Sequence, residues 1–103
     1  MNNPVLFMLG LCQKAGKLLS GEFQCEQAIK NGSAKMVIIA EDASKNTKKL
    51  FKDKCNYRNI PLYELGSKEQ LGHAIGKDQR ASLAIIDENF YRKLKQLLDN
   101  EEA

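Results

Sequence analysis

Apolar side chains crowd the first dozen positions: in PVLFMLGLC, Val5 to Leu9, Leu11 and Cys12 follow one another with only Gly10 between them. Asn3 can cap a helix whose first residue is Pro4, where proline loses no intrahelical hydrogen bond. The pattern predicts helix to Ala15, with Gly16 as its stop. A surface helix ordinarily keeps one polar face. This one does not, so it is either deeply buried or offers a face to a partner.

After GKLLSG a second helix is predicted over Glu22 to Lys30, with Asn31-Gly32 as a left-handed C-terminal cap. The unbroken run KMVIIA predicts a strand buried on both faces. Ser44 can cap a third helix reaching about Tyr57, IPLYEL predicts a second strand, and SKEQ is a capping box opening a fourth helix through Ile75. SLAIID predicts another buried strand. From Glu88 onward, Phe90, Tyr91, Leu94, Leu97 and Leu98 recur at the spacing of one buried helical face. Helices alternating with short apolar strands predict an α/β fold, a single-domain three-layer α-β-α sandwich around a small mixed sheet. That domain spans residues 1–103, and Asp99 to Ala103 is expected to be a frayed acidic tail.

The length of 103 residues suits one domain with a single core, and 43% hydrophobic with 28% charged residues fits neither a disordered nor a fibrous chain. No apolar run approaches the ~18 residues of a membrane span. The apolar N-terminal patch lacks preceding basic residues and a small-residue cleavage site. A cytoplasmic protein with no membrane partner is expected. Cys12, Cys25 and Cys55 are odd in number and far apart, and His73 is the only imidazole, so neither a disulfide framework nor a zinc site is expected. Three reduced, mostly buried thiols follow. The net charge of +3 is unevenly spread: SKNTKKLFKDKCNYR carries six basic residues against one Asp, which points to a polyanionic partner.

Candidate chemistry centres on the second helix. At about 100° per residue, Cys25, Ala28 and Ile29 share one arc and should face the sheet, while Phe23, Gln27 and Lys30 fall on the opposite arc. Free amides at the helix start could meet phosphate oxygens, the Phe23 ring could stack on a base, and Lys30 could neutralise charge, which suits RNA. The alternative is that Phe23 packs as a staple on a neighbouring loop. GEFQCEQ is neither G-x-G-x-x-G nor a P-loop. A Cys25/His73 nucleophile pair would need an accessible thiol, and Cys25 is on the core arc, so no catalytic residue, metal or cofactor is expected. Glu41 and Asp42 end a strand, where such carboxylates either do acid/base or metal chemistry or cap the next turn. Lys45, Lys48, Lys49 and Lys52 form either a solvated helix face or a second polyanion contact.

GEFQCEQAIKNGSAKMVIIAEDAS, then IPLYELGSKEQLGHAIG, then ASLAII, resemble the kink-turn-binding ribosomal protein family L7Ae/L30e, and within it a small bacterial branch often encoded beside translation factors. The likeness runs from KAGKLLSG to Asp87. It implies an α-β-α sandwich, no enzymatic activity, and a grip on sharply bent RNA by the helix start at Gly21 and the loop after LGHAIG. Structured RNA, ribosomal RNA or a kink-turn-like element, is the implied partner, with the ribosome or translation factors beside it; of the oligomeric states the sequence leaves open, a monomer is favoured over a dimer through the first helix. The family's reading pattern after that Gly is Asn-Glu-x-x-Lys, in which the Asn and Glu read guanine edges and the Lys supports them. Here Phe23, Gln24 and Gln27 hold those positions, and the second contact loop, apolar in the family, reads KDQRA with Lys77 and Arg80. Those charges favour phosphate or guanidinium stacking over apolar packing. The expected RNA-binding residues are Gly21, Glu22, Phe23, Gln24, Gln27, Lys30, Lys77 and Arg80, with a target or grip that differs from the archetype. The alternative is a protein-interaction module of the same fold.

Overall fold

The computed structural model describes residues 3–102. The first helix, α1 (Pro4–Lys14), begins where Asn3 Oδ1 accepts the amides of Val5 at 3.0 Å and Leu6 at 3.4 Å. It turns one face inward through Val5, Leu9 and Cys12, while Phe7 and Leu11 remain exposed at 68% and 38%. The helix is therefore buried on one face and open on the other.

A short strand that periodicity did not reveal follows: β1 (Leu18–Ser20) pairs antiparallel with β4 (Ser82–Ile85), Leu18 opposite Ile85 and Ser20 opposite Leu83. Three residues are too few to display alternation. The other strands are β2 (Met36–Ile39) and β3 (Leu62–Glu64), giving the mixed order β1-β4-β2-β3, with β2 antiparallel to β4 and parallel to β3. Every residue of β2 and β4 is buried, which is why their sequences are apolar without alternation.

The remaining helices are α2 (Glu22–Lys30), α3 (Lys45–Arg58), α4 (Lys68–Ala74) and α5 (Glu88–Glu102). Helix α1 packs against α4 and α5, α2 packs against α3, and the sheet lies between the two groups as an α-β-α sandwich. The end of α2 departs from the expected cap in detail. Gly32, at φ 82°, supplies the left-handed residue, with Ser33 N–H donating to the Ala28 carbonyl and Gly32 N–H to that of Ile29, while Asn31 is not left-handed. Ser67 and Gln70 form the expected reciprocal capping box of α4.

Helix α5 opens with Asp87 Oδ2 accepting the Phe90 amide at 3.0 Å and buries Leu94 and Leu98. The helix continues through Asp99–Glu102, the stretch expected to be a frayed tail, and Lys95 pairs with Asp99 at 2.8 Å; Ala103 lies outside the described residues. An acid four residues after a base adds modest support to a terminal turn.

The lysine face of α3 is turned toward carboxylates of its own chain. Lys48 and Lys52 reach Glu64 at 3.1 and 3.6 Å, and Lys49 reaches Asp53 at 3.0 Å. The hydrogen bond from Lys48, then the two ammonium charges, hold the Glu64 carboxyl below the usual carboxylate range. This support is present above that range and fades as pH falls through the lowered value. Three of the four lysines thus have carboxylate partners within the chain, a pairing that goes beyond the solvated face expected and weakens the case for a second polyanion contact.

Candidate functional site

Helix α2 leaves the sheet at an unusual backbone position. Gly21 has φ 94° and ψ 156°, a region essentially confined to glycine, although a Cβ there would meet nothing within 4 Å. The requirement is conformational and not steric. Gly21 N–H donates to the Ser82 carbonyl at 3.1 Å, extending the β1–β4 pairing by one bond, and its carbonyl accepts the Cys25 amide at 3.0 Å. No side chain caps this helix start. The amides of Glu22, Phe23 and Gln24 therefore have no intrahelical partner and sit at the positive end of the helix dipole, where the Glu22 carboxylate in the first turn offsets part of that field.

The two arcs of α2 separate as the spacing requires: Cys25, Ala28 and Ile29 are buried, whereas Glu22, Phe23, Gln24, Gln27 and Lys30 are exposed. Phe23 is 73% exposed. It is no staple, and its ring is open to solvent beside two primary amides.

Arg80 comes to this helix start from sixty residues away in sequence. Its Nε donates to Ser20 Oγ at 3.1 Å, one residue before Gly21, and its Nη1 donates to the Gln79 carbonyl at 2.9 Å. The loop that carries it, residues 76–81, is pinned to α4: Arg80 N–H donates to the Lys68 carbonyl at 3.0 Å, and Lys77 N–H to the Gly72 carbonyl at 2.8 Å. Gly72 permits that approach, since a Cβ there would stand 1.9 Å from the Asp78 carbonyl oxygen. The structure thus gathers Gly21, Glu22, Phe23, Gln24 and Arg80 at one end of the sandwich. Gln27 lies one turn further along, and Lys30 is at the far end of α2, roughly 13 Å from Gly21 at 1.5 Å per residue. Lys77 is exposed in the Arg80 loop, and no hydrogen bond among the described residues ties its side chain to the helix start. Ser20 was not among the expected residues. Its role depends on β1, which the sequence pattern does not reveal.

The other candidates serve the fold. Cys25 is fully buried, with its Sγ 3.8 Å from the Leu19 carbonyl, whereas His73 is exposed on α4. Burial pushes the Cys25 and Cys12 thiols up to about 12 and that of Cys55 to about 11. Thiolate is the reactive form. Iodoacetamide at about pH 8 should leave all three cysteines unmodified in the native protein and label all three in denaturant, as read by intact-mass spectrometry. Asp42 Oδ1 accepts the Lys68 amide at 2.8 Å, so this carboxylate supports the start of α4. Among the described residues no group of three or more His, Cys, Asp or Glu is placed to hold a metal ion. No described helix is long and apolar enough to cross a membrane.

Comparison with known proteins places this geometry in context. Residues 5–95 match the ribosomal protein L7Ae/L30e/S12e/Gadd45 family. The chain is 45% identical over 92 residues to the RNA-binding protein YlxQ of Bacillus subtilis (strain 168), covering 89% of this chain and 92% of that one. Among solved structures, a Bacillus halodurans protein of unknown function superposes with a TM-score of 0.91 at 41% identity, covering 95% of this chain and 99% of that chain. A Giardia lamblia 15.5kD RNA binding protein shares the fold with a TM-score of 0.81 at 19% identity, covering 99% of this chain and 91% of its own.

Proposed function

The chain belongs to the ribosomal protein L7Ae/L30e/S12e/Gadd45 family, and from that premise we propose that it is a cytoplasmic, non-enzymatic RNA-binding protein associated with the ribosome or translation. Its target is structured RNA, held at the α2 start by Gly21, Glu22, Phe23, Gln24 and Arg80, with Gln27, Lys30 and Lys77 extending the contact. One observation carries this reading: Arg80 is bonded to Ser20, which sets a guanidinium at the start of a helix whose first three amides have no intrahelical partner and whose Phe23 ring is exposed. Guanidinium and amides suit phosphate, and the ring suits an unstacked base. The name of the Bacillus subtilis relative, an RNA-binding protein, supports the same reading.

The grip differs from the family pattern. Gln24 can hydrogen-bond a base edge but is not a carboxylate that accepts from guanine N–H groups, and Phe23 replaces an amide by a stacking surface. Titration of a standard kink-turn and a matched straight duplex at several salt concentrations tests the proposal. Binding to structured RNA should weaken with salt at a log–log slope of about −2 to −3, the value for Lys30, Lys77 and Arg80 on phosphate. A kink-turn preference above about tenfold, 1.4 kcal/mol, would mean that Gln24 and the amides still read the bend. Failure to bind any RNA in the panel above background overturns the proposal. It would turn attention to the second reading, a protein-interaction module, which the exposed Phe7 and Leu11 of α1 favour.

A further inference from the structure

We infer that the cleft between α2 and α3 holds a single-stranded RNA segment running on from the α2 start, with Tyr57 as a second stacking platform. This rests on the RNA-binding reading above and extends it past Gln27 and Lys30 onto α3.

The cleft encloses about 380 Å³, and its walls include Gln27 and Lys30 from α2 and Lys54, Tyr57 and Arg58 from α3. Tyr57 is 82% exposed, the most open of the large apolar side chains among the described residues, although α3 already anchors itself through Phe51 and Cys55. An aromatic ring that the core does not use is available to a ligand. Its surroundings are set in place: Arg58 Nη1 donates to the Lys30 carbonyl at 3.1 Å, tying the end of α3 to the end of α2, and the Arg58 guanidinium carbon lies 5.9 Å from the Tyr57 ring centroid. Preorganised groups lose less freedom on binding.

The charges in the cleft favour an anion. Its two carboxylates are already engaged, Glu26 by Lys54 at 3.7 Å and Asp53 by Lys49 at 3.0 Å. Lys30 and Arg58 form no ion pair among the described residues. Two cations without a carboxylate, Arg58 over the ring and Lys30 across the cleft, thus accompany Tyr57, and Lys30 lies on the arc of α2 that begins with Phe23. From Phe23 to Lys30 the helix rises roughly 10 Å, the length of about three stacked nucleotides. Aromatic platforms spaced along a basic track bind single strands, whose bases are free to stack; a duplex keeps its bases covered.

Fluorescence anisotropy on the full chain would compare a bent RNA with blunt ends, the same RNA carrying a short single-stranded extension at either end, the same RNA with that extension paired, and the isolated single strand. The single-stranded extension should raise affinity by about tenfold at one of the two ends. Tyr57→Ala should remove that gain and Tyr57→Phe should keep it, while neither variant changes binding of the blunt RNA. The inference is overturned if the blunt RNA binds and the extension adds less than about twofold, if a paired extension adds as much, or if Tyr57→Ala weakens blunt and extended RNAs alike. Tyr57-dependent binding of the isolated strand without binding of the bent RNA would sustain the cleft and refute the proposed function at the helix start. Binding of neither refutes both.

Discussion

Replacing Gly72 by alanine should lower stability by on the order of 3 kcal/mol, the upper range for a forced steric clash, and Tm by roughly 12–24 °C for a domain of this size. The cause is backbone and not side chain. The added Cβ would stand 1.9 Å from the Asp78 carbonyl oxygen, 2.6 Å from its carbon and 3.0 Å from the Gln79 Cα, and none of these can rotate away. Relief requires the loop over residues 77–80 to lift from α4. That movement breaks the bond from Lys77 N–H to the Gly72 carbonyl and displaces Arg80 from Ser20, so RNA binding should fall along with stability. Gly76→Ala is the control. Gly76 has φ 72° but open space around its Cβ, and the backbone penalty alone is about 1–3 kcal/mol without a steric push on the loop. Urea denaturation gives the two stabilities. A Gly72→Ala protein as stable as the parent, or one that loses no more RNA binding than Gly76→Ala does, would show that the loop is not held as the contact implies.

This dependence on Gly72 bears on what a sequence can disclose. The helices and the long buried strands were legible because each had local punctuation: Asn3 before Pro4, Ser44, the Ser67–Gln70 box, and unbroken apolar runs for β2 and β4. The site was legible only in part. Exposure of Phe23 could not be decided from helical angles, which are least reliable in a first turn. The approach of Arg80 to Ser20 arises from a pairing between the three-residue β1 and a strand some sixty residues later, and no local pattern records it. Tyr57 reads as the end of an amphipathic helix until α2 is packed beside it. The acidic end of the chain shows a different limit. Its acidic composition suggests solvation, but the helix of which it is the last turn is anchored upstream by Leu94 and Leu98 and supported by Lys95 and Asp99.

Restoring the family's reading residues, by Phe23→Asn, Gln24→Glu and Gln27→Lys together, should raise the preference for a kink-turn over a straight duplex by at least tenfold. Each recovered hydrogen-bonding pair to a base edge is worth about 1–3 kcal/mol of discrimination. All three positions are exposed on α2, so folding stability should change by no more than about 0.5 kcal/mol per site. The design also holds the electrostatics steady. The new Glu and the new Lys cancel in net charge, so affinity for the straight duplex, where phosphate dominates, should stay nearly constant. A gain confined to the bent RNA then reports base reading and not added attraction. The same change deletes the Phe23 ring, and a single-stranded extension should lose whatever stacking that ring supplied while Tyr57 keeps its own. An unchanged preference in the triple variant would mean that residues other than these three limit recognition, and that the native Phe23, Gln24 and Gln27 are not what sets this chain's grip apart.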